Sequence, residues 1–217
     1  MNKRIAVILS GCGVFDGSEI YESVITLLRL DQNGAEYQCF APDTPQHHVI
    51  NHVTGEEMPE SRSVLVEAAR LARGNIRDLA ECQATDYDAL IIPGGFGAAK
   101  NLSDFALTGA DMTVQADVLK TVQAFAEAKK PVGLICIAPA MAGKLFGAGV
   151  RCTIGNDGET AEAIRVTGAE HVDCPVHDIV VDEDNKLVTT PAYMLAGSIS
   201  EAATGINRLV DKILEMA

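Results

Sequence analysis

The sequence predicts a three-layer α/β architecture with a doubly wound, mostly parallel sheet. Three observations carry this expectation. Short continuous apolar runs recur at 5–9, 89–92 and 132–135, as in strands buried on both faces. Segments of helical periodicity separate them, and strands alternating with helices build parallel sheets covered on both sides. A length of 217 residues, 47% of them apolar, suits one domain spanning 1–217 with enough core to fold without disulfides or metal.

In chain order, Ile5-Ala6-Val7-Ile8-Leu9 is the first strand. A glycine-rich loop over 10–18 leads into a helix from about Ser18, whose hydroxyl suits a cap. Ile20, Val24, Leu27 and Leu28 mark its expected buried stripe, and Gly34 ends it. Residues 36–41 form the second strand. Residues 42–60, with prolines and three histidines, form a loop with room for a short hairpin. A helix over 64–72 stops at Gly74. Strand 89–92 is closed by Pro93-Gly94-Gly95. A helix over 112–129, the strand 132–135 and a helix over 137–146 follow. Residues 150–154 resume strand, 159–167 are helical up to Gly168, and 179–181 with 186–189 form a hairpin around Asp184-Asn185. The last helix covers 193–215.

Composition excludes several function classes. The formal charge is −13, with lysines and arginines scattered rather than striped. Such a chain is repelled by phosphate backbones and anionic lipid, so neither nucleic acid nor a membrane surface is an expected partner. No apolar run reaches membrane-spanning length. Leu9-Ser10-Gly11-Cys12 resembles a lipoprotein cleavage box, but its five apolar residues fall short of the roughly 7–15 of a signal core. The six cysteines include no C-x-x-C pair. Wide spacing points to reduced thiols and hence to a cytoplasmic protein.

Chemistry concentrates where ligands bind in such sheets, beyond the strand C-termini. Cys136 lies where a strand feeds directly into a helix, the arrangement of a nucleophile elbow. A helix N-terminus behind it favours thiolate; the competing reading is a small buried core residue. Gly94 and Gly95, ending a neighbouring strand, let backbone N–H groups approach an oxyanion, although Pro-Gly-Gly is also ordinary turn chemistry. Glu19 and Glu22 open the first helix, either as dipole partners on a wet face or as proton carriers beside the thiol. His47, His48 and His52 are read as loop surface rather than as a metal site. Gly11, Gly13 and Gly17 resemble a weak dinucleotide fingerprint, which Asp16 would oppose by its charge.

Together these pieces resemble the ThiJ/PfpI superfamily, whose fold is flavodoxin-like and shared with class I glutamine amidotransferases. Gly17-Ser18-Glu19-Ile20-Tyr21-Glu22 resembles its glutamate-bearing first helix, Ile92-Pro93-Gly94-Gly95 with Lys100-Asn101-Leu102 its glycine turn, and Leu134-Ile135-Cys136-Ile137-Ala138-Pro139 its elbow. Ile8-Leu9-Ser10-Gly11-Cys12-Gly13, the stretch from Asp43 to Gly55 with Ile50-Asn51-His52, and Asp182-Glu183-Asp184-Asn185-Lys186 narrow the resemblance to the ElbB subfamily. That resemblance implies a glutathione-independent glyoxalase, a link in name to isoprenoid (lycopene) production, and a homodimer. It implies Cys136 as nucleophile, Glu22 and then Glu19 as its partner, and Gly94, Gly95, Ile137, Asn101 and His52 around the substrate. The chain departs from the glutaminases of this fold, because Thr190-Pro191-Ala192 stands where they carry His-Pro-Glu.

The expected function is therefore conversion of small dicarbonyls such as glyoxal to 2-hydroxy acids through a Cys136 hemithioacetal, with no cofactor and no metal. Glutaminase and peptidase activities are not expected. The alternative is a non-catalytic or redox-sensing cysteine protein linked to isoprenoid metabolism.

Overall fold

The computed structural model describes residues 2–217. Its elements are β1 (Arg4–Ile8), α1 (Ile20–Gln32), β2 (Glu36–Ala41), α2 (Val64–Leu71), β3 (Ile76–Asp78), β4 (Ala89–Ile92), α3 (Phe96–Lys100), α4 (Phe105–Thr108), α5 (Ala116–Glu127), β5 (Val132–Ile135), α6 (Ala142–Phe146), β6 (Arg151–Cys152), α7 (Gly158–Val166), β7 (Glu170–His171), β8 (Val180–Asp182), β9 (Leu187–Thr190) and α8 (Ile199–Met216). Seven strands form one sheet in the order β3-β2-β1-β4-β5-β9-β8, while β6 and β7 pair separately. Every neighbouring pair in the large sheet is parallel except β8 with β9. The α/β fold and the mostly parallel sheet are as the apolar runs predict.

The pleat divides the core in two. Ala6, Ile8, Leu90, Ile92 and Leu134 face α5 through Val118, Val122 and Phe125. Ile5, Val7, Ile91 and Ile135 face the other way, toward Ile25 and Leu30 of α1 and Ile206, Leu209 and Ile213 of α8. Strands loaded on both faces read as unbroken apolar runs, and for this reason they are legible in the sequence. The strands β3 and β7 and the helices α3 and α4 are too short to carry a periodic signal and are not anticipated. Residues 150–154 contribute only β6, outside the main sheet. The last helix starts at Ile199, capped by Ser198, because residues 192–194 make a 3-10 turn.

The first helix is turned relative to expectation. Ile20, Val24 and Leu28 are 40–51% exposed, whereas Glu22, Ser23 and Thr26 are completely buried. The small Ser23 and Thr26 let α1 sit close to its neighbours, and Ser23 donates its hydroxyl back to the Glu19 carbonyl at 2.7 Å. Arg29 locks the helix to α8 through two bonds to Asp211 at 2.8 and 2.7 Å. The cap also differs: Glu19 accepts from the Glu22 N–H at 2.6 Å, while the Ser18 hydroxyl is engaged by the Ser10 N–H at 2.8 Å.

Gly133, inside β5, leaves room for Leu209, whose Cδ2 would lie 2.9 Å from an added Cβ. Leu209→Ala would therefore empty a fully buried contact across the sheet. It is expected to lower unfolding free energy by about 2–5 kcal/mol, read as a reduced midpoint in urea with an unchanged slope.

Candidate active site

Cys136 follows β5 directly and has φ 62°, in the left-handed region that L residues enter only under constraint. Its N–H donates to the Thr190 carbonyl at 3.0 Å, anchoring the turn to the end of β9. The positive φ is what turns the side chain out over the strand ends, the geometry of an elbow. Cys136 is nevertheless only 7% exposed.

Beside the sulfur lies Glu22, with no exposed surface. Its carboxyl borders Cys136 across Gly94 and accepts from the Gly94 N–H at 2.9 Å and the Tyr193 N–H at 3.2 Å. The second of these bonds depends on Ala192, another left-handed residue with φ 44°. Non-glycine residues held in this region mark sites where surroundings over-determine the backbone, and here two such residues aim groups at one carboxylate. Gly94 fits between the thiol and the acid: an added Cβ would overlap Cys136 Cβ and approach Glu22 Oε2 to 2.7 Å.

The electrostatics follow from this enclosure. Burial pushes the Glu22 carboxyl up to about 7, with the nearby Glu19 charge acting in the same sense and the N–H groups of Tyr193 and Gly94 opposing. Burial, then the charge of Glu22, also raises the Cys136 thiol well above its usual range, against the pull of the Gly95 and Ile137 N–H groups. Two buried acids in contact resist carrying two negative charges. The lowered thiol pKa expected from a helix N-terminus is thus not what the structure gives. The residues after Cys136 form a four-residue 3-10 turn over Ala138–Met141 and only then the five-residue α6, too short a dipole to offset burial beside a carboxylate.

A cavity of about 340 Å³ opens above the sulfur, lined by Cys136, Ile137, Gly95 and Glu19 together with Phe96 and Phe105. Glu19 is 8% exposed, and burial raises its pKa against the N–H groups at the start of α1. The backbone N–H groups of Gly95 and Ile137 act on the sulfur in the direction that favours thiolate. Three sequence expectations need correction. Gly94 is not an oxyanion donor, because its one N–H is held by Glu22. Asn101 does not line the cavity; its side chain ties the 10–18 loop together, donating to the Ser10 and Asp16 carbonyls at 2.9 Å and accepting from the His47 N–H. His52 also lies outside it, stacked on Phe15 and accepting from the Phe15 N–H at 3.2 Å. The glycines of the 10–18 loop serve close packing, since a Cβ on Gly17 would overlap the Cys12 nitrogen. Among the described residues, no three metal-ligating side chains are grouped, and no histidine lines the cavity. Tyr193, which both lines the cavity and holds Glu22 by its backbone, is a site residue the sequence reading missed. Its signal was its place directly after Thr190-Pro191-Ala192.

The DJ-1/PfpI family model matches residues 3–196. The chain belongs to the DJ-1/PfpI family. It is 48% identical over 223 residues to the human glutamine amidotransferase-like class 1 domain-containing protein 3, mitochondrial, a match covering 98% of this chain and 83% of the relative. It is 34% identical over 210 residues to the ES1 protein, mitochondrial, of Danio rerio, covering 89% and 77%. A crystal structure of an isoprenoid biosynthesis protein with an amidotransferase-like domain from Ehrlichia chaffeensis superposes with a TM-score of 0.93 at 38% identity, covering 99% of both chains. Drosophila melanogaster DJ-1beta shares the fold, with a TM-score of 0.57 at 20% identity over 100% of this chain and 96% of its own. The cytoplasmic assignment drawn from the cysteines does not stand, because the curated relatives are named mitochondrial proteins. Reduced thiols mark a reducing interior and do not distinguish one such compartment from another.

The raised Glu22 pKa has a thermodynamic consequence. Between the ordinary carboxylate value of 4.5 and about 7, the native state holds a proton that the unfolded chain releases. This stabilisation is complete below 4.5 and disappears as pH rises through 7. Glu22→Gln, which cannot ionise, is expected to gain stability relative to the parent as pH is raised from 4.5 to 7. Urea midpoints of both proteins across that range check this; a constant difference would contradict it.

Proposed function

We propose that the chain is a cofactor-free, cysteine-dependent glyoxalase-type enzyme of the ElbB subfamily. The observation that carries this reading is the placement of the Cys136 sulfur between a buried carboxylate and two N–H donors, beneath an open cavity. In a 2-oxoaldehyde R–CO–CHO, Cys136 Sγ forms a bond to the aldehyde carbon while its proton passes to Glu22 and then to the new alkoxide, giving a hemithioacetal. The Gly95 and Ile137 N–H groups stabilise the oxyanion as it develops. Transfer of the aldehyde carbon's proton to the neighbouring carbonyl carbon, by way of enediolate chemistry, converts R–CO–CH(OH)–S into the thioester R–CH(OH)–CO–S. Glu19, whose carboxylate faces the cavity, carries that proton. Water then cleaves the thioester, releasing a 2-hydroxy acid and restoring the thiol. One carbon is oxidised and its neighbour reduced, so no external oxidant or reductant enters.

The resting thiol is held protonated by burial, which favours a base-assisted nucleophile over the redox-sensing alternative, since oxidation proceeds through an exposed thiolate. The homodimer implied by the resemblance would use the uncharged stripe of Ile20, Val24 and Leu28 on α1, and Val24→Glu is expected to lower the mass seen in sedimentation equilibrium.

Purified protein is expected to convert glyoxal to glycolate, and Cys136→Ala to abolish this; retention of activity by that variant would overturn the reading. Because Glu22 must be ionised to receive the thiol proton, kcat/KM is expected to rise with pH to a plateau above about 7. Glu19→Gln is expected to reduce kcat by roughly 10²–10⁴-fold while leaving the rate of Cys136 alkylation within a few-fold of the parent. A loss of both would make Glu19 a helix cap alone.

A further inference from the structure

The cavity over Cys136 is much larger than glyoxal requires and has a distinct chemical character. At about 340 Å³ it falls among cavities that hold drug-sized ligands, whereas glyoxal is two carbonyl groups with no substituent. Past the sulfur, the walls are Phe96, Phe105, Ala106, Ile137 and Met194. Glu19 is the one charged side chain that lines it among the described residues, and it is a carboxylate. Lys100 lies over the Phe96 ring at 4.6 Å and is engaged by the Phe15 carbonyl at 3.1 Å and His48 Nε2 at 3.0 Å. It does not line the cavity.

We propose that this site selects uncharged 2-oxoaldehydes bearing an apolar substituent of aryl or branched-alkyl size, and rejects anionic carbonyl compounds. The proposal rests on the reading of Cys136 as a carbonyl nucleophile and names the substrate class for that chemistry. An apolar group transferred from water to these walls gains free energy in proportion to the area it buries. A bound carboxylate or phosphate would face Glu19 with no cation among the lining residues to receive it. The same feature turns away an allylic diphosphate, so any link to isoprenoid metabolism would not run through diphosphate recognition at this cavity. The product is an acid, and Glu19 repels it once the thioester is cleaved, which favours release. Phe105, on α4, and Phe96, at the start of α3 and 44% exposed, are the specificity-determining side chains.

Binding and turnover test separate parts of this inference. By titration calorimetry on the intact protein, 2-hydroxyacetophenone, an uncharged aryl α-hydroxyketone, is expected to bind at least about tenfold more tightly than hydroxyacetone, in line with the discrimination available to apolar pockets. Mandelate, its anionic counterpart, is expected to bind more weakly than either. Phe105→Ala should narrow the aryl-to-methyl ratio several-fold, and Ala106→Trp, which fills the cavity, should invert it. In turnover, mandelate formation from phenylglyoxal, blanked against Cys136→Ala, should show a higher kcat/KM than glycolate formation from glyoxal. Equal binding of the two ketones, tighter binding of mandelate, or a glyoxal kcat/KM above that of phenylglyoxal would overturn the proposed selectivity. If the aryl ketone binds as expected but no aldehyde is consumed, the glyoxalase chemistry fails while the cavity's preference stands.

Discussion

The contact between the Glu22 carboxyl and the Cys136 thiol is the constraint around which the rest of the site is arranged. A carboxyl without exposed surface carries a large desolvation penalty unless its oxygens are satisfied. Here Gly94 and Tyr193 supply an N–H to each oxygen. Several otherwise costly features then have a single origin. The left-handed backbone at Ala192 aims the Tyr193 N–H. The absent side chain at Gly94 lets strand end, thiol and acid touch. The rotation of α1 delivers Glu22 inward and leaves Ile20, Val24 and Leu28 outside.

Division of labour follows from the same contact. Glu22 is sealed beneath the sulfur and communicates with it, whereas Glu19, one helical turn earlier, faces the cavity. Two carboxyl groups three residues apart at a helix start thereby occupy different environments: one enclosed and coupled to the thiol, the other bordering the space a substrate would fill. Environment, rather than residue type, separates acid/base roles in such pairs. The two N–H donors come from different loops, Gly95 after β4 and Ile137 after β5. Their convergence depends on the parallel alignment of those neighbouring strands, which brings the carboxyl ends of both to one edge.

Much of the fold was legible because double-sided burial writes itself as uninterrupted Val, Leu and Ile, and β1, β4 and β5 fall where those runs lie. Cys136 was legible from the strand-to-helix junction, and the glycine turn from Pro93-Gly94-Gly95. The orientation of α1 was not. A helical wheel assigns Ile20, Val24 and Leu28 to the core and Glu22 to solvent, which is the usual outcome. Tertiary satisfaction of one carboxyl overrode that pattern, and neither donor to it is encoded near α1. Gly94 was anticipated near the oxyanion for the correct physical reason, a close-approaching N–H, but the acceptor is Glu22. Asn101 and His52 are polar residues near the site in sequence motif and in space, yet their hydrogen bonds fold the loop instead. Sequence alone gives no means of telling a side chain that faces a substrate from one that holds the backbone around it.

Glu22 and Tyr193 are separated by 171 positions along the chain, and Cys136 lies between them. The bond that steadies the acid therefore exists only when the end of β9 has docked beside β5 and α1 has settled on α8. Before that point the cysteine is an ordinary thiol and the glutamate an ordinary surface acid. The coupled acid and thiol are thus a product of the completed topology, because a nascent or partly unfolded chain has neither the burial nor the bonds that raise both groups in the native state.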